Sequence, residues 1–162
     1  MSEILDKTGQ VDVIFTDLSK AFDKLDHGIL LSKLRSIGFD NTLLQLLQSY
    51  LSNRKFFVSY NGYTSIKNTA KSGVPQGSNL GPLLFLLFIN DLPNSLFCET
   101  LMYADDVKIF STINSYNDCL TLQFNLSVLH EWCITNRLKL NIDKCKIVTF
   151  TRKIHKSCII IV

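Results

Sequence analysis

The strongest constraint on the fold is a run of apolar and mostly β-branched residues, VDVIFTDL, from Val11 to Leu18. Such a run is typical of a buried strand, because β-branched side chains pack well on a pleated sheet. A second run, from Leu83 to Leu92, is apolar on every side and predicts a fully buried helix. The chain is therefore expected to combine a sheet with helices.

The other patterns supply further elements in a definite order. Two short helices with apolar faces follow the first strand, and the dipeptide Asn61-Gly62 predicts a tight hairpin. Leu101 to Phe110 predicts a second hairpin with Ala104-Asp105-Asp106 at its tip, and a long helix then leads to a strand at Lys146 to Phe150. With the Asn61-Gly62 hairpin set aside as an insertion, the order is a split βαββαβ arrangement. We therefore predict an α+β fold with a ferredoxin-like sheet and helices on one face. The helical faces are Leu30, Leu34 and Ile37 before Gly38; Leu43, Leu46, Leu47 and Tyr50; and Leu122, Leu126, Leu129 and Cys133 after the capping pair Ser115 and Asp118.

The length and composition limit the class of protein. The chain has 162 residues, 46% hydrophobic and 19% charged, which fits about one globular domain and excludes disordered and fibrous classes. Five cysteines without a CxxC pair, after a polar start, predict reduced thiols in an intracellular protein of the cytoplasm or nucleus. His130 and Cys133 are three residues apart, but the sequence has no second Cys or His pair at the spacing of a zinc finger, which argues against a zinc site. The longest apolar run, Pro82 to Ile89, is shorter than the ~20 residues that cross a bilayer, so no membrane association is predicted.

Three aspartates are expected to meet at one edge of the predicted sheet. Asp17 ends the first strand, and Asp105 and Asp106 form the tip of a hairpin that lies beside it in a βαββαβ sheet. Two like charges about 4 Å apart repel by roughly 4 kcal/mol at an effective dielectric near 20, so a cation must compensate them. Hard oxygen ligands suit Mg²⁺, and two such ions can catalyse phosphoryl transfer. The pattern predicts a nucleotidyl transferase, with an ordinary polar turn as the alternative for Asp105-Asp106.

The segments around these carboxylates resemble a known family. Three segments are similar to successive motifs of reverse transcriptases: FTDLSKAFDKLDH, GVPQGSNLGPLLFLLFINDLP and YADDVKIF. They resemble the motifs of the non-LTR retrotransposon group best. A later segment, RLKLNIDKCKIVTF, resembles the fourth motif, which is written around LN-x-x-K. The four motifs occur in the family's order and cover most of the chain. The resemblance implies the palm of an RNA-directed DNA polymerase that uses two Mg²⁺ ions, or Mn²⁺ in their place.

The resemblance also implies roles for individual residues in metal binding. Asp17 matches the first metal-binding aspartate, and the backbone carbonyl of Leu18 would be a second ligand beside it. Asp105 matches the other principal metal ligand, and Asp106 is its catalytic neighbour. Lys144 matches the lysine suggested to protonate the leaving pyrophosphate. The alternative for Lys144 is a solvated surface lysine.

Further matches concern the incoming nucleotide. Phe22 matches the aromatic gate that would clash with a 2′-hydroxyl and so select deoxynucleotides, and its alternative is an ordinary core aromatic. Gln76 matches the residue that contacts the nucleotide. Gly73 and Gly77 would let the backbone approach the substrate closely. For Asp23, Asp26 and His27, in the first motif, we predict turn and cap roles.

The sequence departs from the family's pattern in two ways. Asn79, Ile142 and Cys145 stand where the group usually carries other residues, which raises the possibility of a decayed copy. Fingers and thumb are largely missing, so we expect residues 1–162 to be a single partial domain: a palm with part of the fingers, truncated before the primer grip and thumb. The run Cys158 to Val162 predicts a terminal strand without a partner, which would favour aggregation.

Two functions from different classes follow. The first is the core of a reverse transcriptase that joins dNTPs to the 3′-hydroxyl of a DNA or RNA primer on an RNA template, with weak or no independent activity expected. The second is a non-enzymatic, decayed or domesticated palm that at most binds nucleic acid or protein. A group II intron-type maturase is a third reading, which LGPLLFLLFINDLP makes less favourable. The oligomeric state cannot be predicted.

Overall fold

The computed structural model describes residues 9–151, and the chain divides into two compact units. The sheet unit comprises Met1–Ser19 and Asp91–Val162, and the helical unit comprises Lys20–Asn90. The described elements of the sheet unit are β1 Gln10–Asp17, α5 Leu92–Ser95, β6 Glu99–Tyr103, β7 Asp106–Thr112, α6 Tyr116–Thr135, a 3₁₀ turn Ile142–Lys144 and β8 Lys146–Thr151. Those of the helical unit are α1 Ala21–Lys24, α2 His27–Ser36, α3 Asn41–Leu51, β2 Lys55–Phe56, β3 Ser59–Tyr60, β4 Tyr63–Thr64, β5 Asn68–Thr69 and α4 Leu80–Ile89.

The sheet unit contains a four-stranded antiparallel sheet in the order β6-β7-β1-β8. Strands β1 and β8 are neighbours, and the β6-β7 hairpin lies on the other side of β1. This is the strand order of a split βαββαβ sheet, so the predicted α+β fold and its ferredoxin-like topology are confirmed. The strand from Lys146 and the hairpin around Asp105 also lie where the sequence predicted them.

Strand β1 lies inside the sheet, as its β-branched run predicted. Its residues from Gln10 to Ile14 are buried, and Thr16 is buried and donates a hydrogen bond to the carbonyl of Val107 on β7. Burial decreases at Asp17, which retains partial exposure at the end of the strand. The strand therefore begins in the core and ends at a carboxylate that is accessible to solvent.

Helix α6 covers the sheet and contacts β7. Its predicted face is buried, and the predicted capping box is present at its first turn, where Asp118 Oδ2 accepts the backbone N–H groups of Asn114 and Ser115 at 2.9 and 2.8 Å. These two bonds satisfy donors that have no partner within the helix. The buried predicted positions are Leu122, Leu126, Leu129 and Cys133.

In the helical unit, α2 packs against both α3 and α4. Helix α2 ends before Gly38, which has a φ of 100° and so provides the predicted stop. Helix α3 also forms as predicted, but its buried face is shifted. Leu44, Leu47 and Leu51 are buried, while Leu43 and Leu46 are 38% and 64% exposed. A leucine-rich helix offers several apolar stripes, and only packing selects the one that is buried.

The prediction of a fully buried helix at Leu83 to Leu92 is wrong in both bounds and in its burial, since the helix ends at Ile89. The helix α4 begins at Leu80, three residues earlier, because Pro82 fits the first turn, where its missing N–H is not needed. Leu83 and Leu86 are 50% and 49% exposed, whereas Phe85 and Phe88 are completely buried. The helix therefore has a buried and an exposed side despite its uniformly apolar sequence.

The predicted hairpin at Asn61-Gly62 is confirmed. Strands β3 and β4 pair across it, with Tyr60 opposite Tyr63. Asn61 and Gly62 have φ values of 48° and 80°, the left-handed conformation that a two-residue hairpin loop needs at both positions. The predicted strand from Cys158 to Val162 lies outside the described residues. Between residues 9 and 151, no helix is long and apolar enough to span a bilayer.

Candidate active site

The register of the sheet places two of the predicted aspartates directly opposite each other. Asp17 on β1 pairs with Asp106 on β7, and Asp106 also pairs with Tyr103 on β6. Ala104 and Asp105 form the loop of this tight hairpin, and Ala104 adopts a φ of 53°. Directly opposite residues of antiparallel strands project on the same face, with Cβ atoms about 4.5–5.5 Å apart. The strand pairing therefore supports the predicted approach of Asp17 and Asp106, and Asp105 lies in the adjoining loop.

Two side chains at the 3₁₀ turn of the sheet unit contact the carboxylate of Asp17. Asn141 Nδ2 donates a hydrogen bond to Asp17 Oδ2 at 3.1 Å, and Lys144 Nζ lies 3.4 Å from the same oxygen. The backbone N–H of Asn141 also donates to the carbonyl of Asp17 at 2.8 Å. The side chain of Lys144 is 67% exposed, so its ion pair contributes little to stability, but it does place a positive charge beside the carboxylate.

The backbone after Asp17 leaves one carbonyl out of the local pairing. Leu18 forms an isolated antiparallel bridge with Leu140. The two hydrogen bonds of this bridge run from Ser19 N–H to the carbonyl of Lys139, at 2.7 Å, and from Asn141 N–H to the carbonyl of Asp17. Neither bond uses the carbonyl of Leu18, the backbone group that the resemblance assigns to a metal ion.

The available donors are the hard oxygens that Mg²⁺ and Mn²⁺ prefer. They are the carboxylates of Asp17, Asp105 and Asp106 and the carbonyl of Leu18. Across residues 9–151, no three His, Cys, Asp or Glu side chains are gathered closely enough to form a ready metal centre. The donor set therefore fits a hard divalent cation by its chemistry, while one oxygen of Asp17 is occupied by Asn141 and Lys144.

In the helical unit, Phe22 packs against the core and also keeps part of its ring accessible. Its ring packs against the buried Phe85 with centroids 4.6 Å apart and planes tilted by 33°. Phe22 itself is only partly buried. The core thus holds the ring of Phe22 while part of it stays accessible, which is what a rigid steric gate requires.

The predicted nucleotide-contacting residue is also held by a neighbour. Gln76 is exposed, and its Nε2 donates to Asp23 Oδ1 at 2.8 Å. Asp23 therefore orients the amide of Gln76, a role that the prediction of a turn or cap did not include. Gly77 follows with a φ of 77°, and a Cβ added there would meet nothing within 4 Å, so the backbone here is open to a ligand.

Gly73 has a different reason to be glycine from the one predicted. A Cβ at Gly73 would lie 2.6 Å from the carbonyl oxygens of both Phe22 and Asp23. Its N–H donates to the carbonyl of Leu25, and the N–H of Val74 donates to the carbonyl of Phe22, both at 2.8 Å. The close approach at Gly73 is therefore made by the first motif of the chain itself.

Other residues complete this connection between the first two motifs. Ser72 Oγ donates to the carbonyl of Asp23 at 2.8 Å, and His27 Nε2 lies 2.8 Å from the carbonyl of Gly73. The guanidinium of Arg54 donates to the carbonyls of Leu51, Ser72 and Gly73. Asp26 is the N-cap of α2 and accepts the N–H of Ile29 at 3.0 Å, as predicted.

The sequence reasoning missed Asn141, Arg54 and the link between Asp23 and Gln76. Asn141 had a detectable signal, because N-x-x-K brings its two polar residues to the same side of a single 3₁₀ turn, where residues three apart align. Arg54 had none, since its partners are backbone carbonyls distant in sequence. The Asp23–Gln76 bond likewise joins residues 53 positions apart.

The sheet order β6-β7-β1-β8 is that of a reverse-transcriptase palm, and the aspartates Asp17 and Asp106 lie opposite each other at the ends of its two central strands. Solved telomerase structures share the fold. One is apo telomerase from Candida tropicalis truncated from its C-terminal domain, with a TM-score of 0.69 at 15% identity over 95% of this chain and 34% of that one. Another is C. tropicalis telomerase in complex with the TWJ fragment of telomeric RNA, with a TM-score of 0.67 at 13% identity over 91% and 28%.

The sequence identifies the family. Residues 2–158 match the family described as reverse transcriptase (RNA-dependent DNA polymerase), and the chain belongs to that family. It is 34% identical over 94% of its length to the RNA-directed DNA polymerase from mobile element jockey of Drosophila funebris. It is 36% identical over 88% of its length to the probable RNA-directed DNA polymerase from transposon BS of Drosophila melanogaster. The chain spans 18% and 17% of the length of these two relatives, which are proteins of non-LTR elements.

Proposed function

We propose that this chain carries the catalytic palm of an RNA-directed DNA polymerase, which joins a dNTP to the 3′-hydroxyl of a DNA or RNA primer on an RNA template. The observation that carries the proposal is the β-sheet register that sets Asp17 opposite Asp106, next to Asp105. Like-charged side chains at such positions are unfavourable unless a cation joins them, and the site has only oxygen donors to offer it. The family and its relatives support the same activity.

Reverse transcriptases use divalent metal ions, and we propose two Mg²⁺ ions here, with Mn²⁺ as a substitute. Asp17, Asp105, Asp106 and the carbonyl of Leu18 would hold them. When bound, such ions stabilise the attacking and leaving oxygens of a nucleotidyl transfer.

The protein's own groups prepare this edge of the sheet. Asn141 and Lys144 fix one oxygen of Asp17, which leaves the other oxygen to face a cation. The positive charge of Lys144 also offsets part of the repulsion among the carboxylates. We propose that Lys144 is in addition the proton donor to the leaving pyrophosphate, a role that needs its Nζ to exchange Asp17 for the substrate.

Two residues of the helical unit are proposed to act on the nucleotide. Phe22, supported by Phe85, would exclude a 2′-hydroxyl by steric contact. Gln76, oriented by Asp23, would contact the nucleotide through its amide. Next to it, the open backbone at Gly77 would allow close approach.

We infer an intracellular location, in the cytoplasm or nucleus. The support is that Cys98, Cys119, Cys133 and Cys145, the cysteines within the described residues, form no disulfide. Free thiols are usual in compartments where glutathione and thioredoxin keep them reduced.

Primer extension on an RNA template tests the proposed function. The full chain is assayed with dNTPs and Mg²⁺, and again with Mn²⁺, beside Asp105→Asn. Glu99→Gln is the matched control, because it removes an exposed carboxylate from the same hairpin but from the far end of β6. We expect weak extension by the parent and by Glu99→Gln, and a loss of at least roughly 100-fold in Asp105→Asn, the size typical of losing a principal catalytic group. If none of the three folded proteins extends the primer, the non-enzymatic palm becomes the better description.

A further inference from the structure

Residues 54–70 of the helical unit form a narrow antiparallel ribbon. Strands β2 and β5 pair at its base, and β3 and β4 pair next to the Asn61-Gly62 loop, with two residues in each strand. Every residue from 55 to 69 is exposed to solvent. A two-stranded hairpin without a packed face is marginally stable in water, so the ribbon should open far more readily than the packed helices of the unit.

The loop of this ribbon leaves the polar groups of Asn61 and Gly62 unengaged. Across residues 9–151, no hydrogen bond involves the side-chain amide of Asn61 or the N–H of Gly62. A Cβ added at Gly62 would meet nothing within 4 Å, so the space around it is open as well. The dipeptide Asn114-Ser115 provides a contrast, because there the carboxylate of Asp118 accepts the N–H of Ser115 at 2.8 Å.

An asparagine side chain and the backbone nitrogen that follows it can react with each other, and the reaction needs only water. The nitrogen of Gly62 gives up its proton to solvent and attacks Cγ of Asn61, so that an N–Cγ bond forms, the Cγ–Nδ2 bond breaks, and ammonia leaves with a proton from water. Water then opens the resulting succinimide ring at either carbonyl. One opening gives aspartate, and the other gives isoaspartate, in which the main chain runs through Cβ and Cγ.

We propose that Asn61 is a site of spontaneous deamidation and that the isoaspartate formed there abolishes the turn of the ribbon. Glycine favours the reaction at the next position, because it has no side chain to hinder the attacking nitrogen. The closed turn holds Asn61 at a φ of 48° and Gly62 at a φ of 80°, which restricts the backbone rotation that ring closure requires. The ring therefore forms in the opened ribbon, and the rate of the reaction reports how often the ribbon opens.

Isoaspartate changes the ribbon in shape and in charge. Its main chain carries an additional carbon atom, so the two-residue loop no longer keeps Tyr60 opposite Tyr63. Its carboxylate is also the first negative charge within residues 41–90, a stretch that contains four basic residues and no Asp or Glu. The modification is thus an irreversible change to the most exposed part of the helical unit.

Peptide mapping of the full chain measures the reaction directly. Trypsin releases residues 56–67, FFVSYNGYTSIK, in which Asn61 is the only amide side chain. The mass gained when a hydroxyl replaces an amino group is therefore assigned to Asn61 without ambiguity. The chain is incubated at mildly alkaline pH, once folded and once unfolded in guanidinium chloride, and fragment ions from the same samples give the rate at Asn114.

We expect the rate at Asn61 in the folded chain to lie within roughly ten-fold of its rate in the unfolded chain, because a marginally stable ribbon is open for a sizeable share of the time. Folding should slow Asn114 at least roughly five-fold more than Asn61, since the hydrogen bonds of its cap must break first. Slowing of Asn61 by about 100-fold or more, or equal slowing at the two sites, would overturn the proposal.

Chymotrypsin cleavage after Phe57 measures the consequence for the ribbon. The isoaspartate form, isolated by chromatography, is compared with the parent and with Asn61→Asp, the matched control that adds the same charge but keeps an Asp-Gly turn. Cleavage tracks the open fraction of the ribbon when opening and closing are fast. The isoaspartate form should be cut roughly two-fold or more faster than the parent, up to the factor by which folding slows Asn61, and Asn61→Asp should be cut at the rate of the parent.

Equal cleavage of all three proteins, or equal acceleration in Asn61→Asp, would overturn the proposed loss of the turn. Neither measurement uses metal, nucleotide or primer. The result is therefore independent of whether the chain acts as a polymerase.

Discussion

Gly73 and Gly77 lie in one loop and share a φ of 77°, but their surroundings are opposite. At Gly73 an added Cβ would lie within 2.6 Å of two backbone carbonyl oxygens, whereas at Gly77 it would meet nothing within 4 Å. A side chain in the left-handed region costs about 1–2 kcal/mol by itself. The pair therefore separates the cost of the dihedral angle from the cost of the contact.

We predict that Gly77→Ala lowers the free energy of unfolding by about 1 kcal/mol and that Gly73→Ala lowers it by about 3 kcal/mol or more, because backbone atoms must also move. Urea titrations followed by circular dichroism measure both. Equal midpoints for the two variants would show that the first two motifs are not packed as tightly as the contacts at Gly73 indicate.

At the scale of single residues, the sequence predicted identities better than partners. Asp17, Asp105 and Asp106 were predicted because a short motif contains each of them, and strand pairing places Asp17 opposite Asp106. Asn141 was missed, because its bond to Asp17 joins residues 124 positions apart. A pattern in one segment cannot show which distant side chain will orient it.

Helix α6 shows how one side chain organises the start of an element. Asp118 Oδ2 accepts hydrogen bonds from the N–H groups of Asn114 and Ser115 and from the hydroxyl of Ser115. These bonds hold the pKa of the Asp118 carboxyl below its ordinary value of 3.8, the backbone bond from Asn114 being the largest cause. The ionised carboxylate is thus the form that stabilises the first turn.

The lowered pKa fixes the direction of a pH effect. The stabilisation by Asp118 is fully present above its ordinary pKa of 3.8 and is lost as the pH falls through its lower value in the folded state. We predict that Asp118→Asn has a lower Tm than the parent near pH 7 and that the difference shrinks below pH 3.8. Thermal melts from about pH 7 down to about pH 2.5 measure it, with Glu131→Gln on the same helix as the charge control. A difference in Tm independent of pH would exclude the ionised cap as its cause.

Elements were predictable where their pattern was local. The Asn61-Gly62 turn and the capping pair of α6 depend on two to four neighbouring residues, and both are present. The burial of α4 was not predictable, because Leu83 and Phe85 are equally apolar and only packing against α1 and α2 leaves one exposed and buries the other. Hydrophobicity indicates which residues can be buried, whereas packing decides which of them are.

At the scale of the whole molecule, the division of the chain into two units was also not predicted from the sequence. The boundaries at Ser19 and at Asn90 carry no linker composition, and the first falls inside a motif, shortly after strand β1 ends at Asp17. The residues of one sequence motif can therefore belong to two different structural units. The strand order, in contrast, followed from counting elements, since few topologies accommodate βαββαβ.

The cluster of carboxylates predicts a stability cost that a metal ion should reverse. Asp17 lies opposite Asp106, with Asp105 next in the chain, at a partly exposed position, and like charges about 4 Å apart repel by about 1 kcal/mol in a water-like dielectric. Without divalent metal, Asp105→Asn should therefore be more stable than the parent by about 1 kcal/mol, or roughly 2–4 °C in Tm for a chain of this size. Added Mg²⁺ should raise the Tm of the parent by a similar amount and that of Asp105→Asn by much less, because the variant lacks a ligand. Differential scanning fluorimetry with Mg²⁺ and with EDTA gives both values, and Glu99→Gln should behave as the parent does. If Mg²⁺ raised the Tm of all three proteins equally, it would be acting elsewhere on the surface, and the carboxylates would not form the metal site on which the proposed chemistry depends.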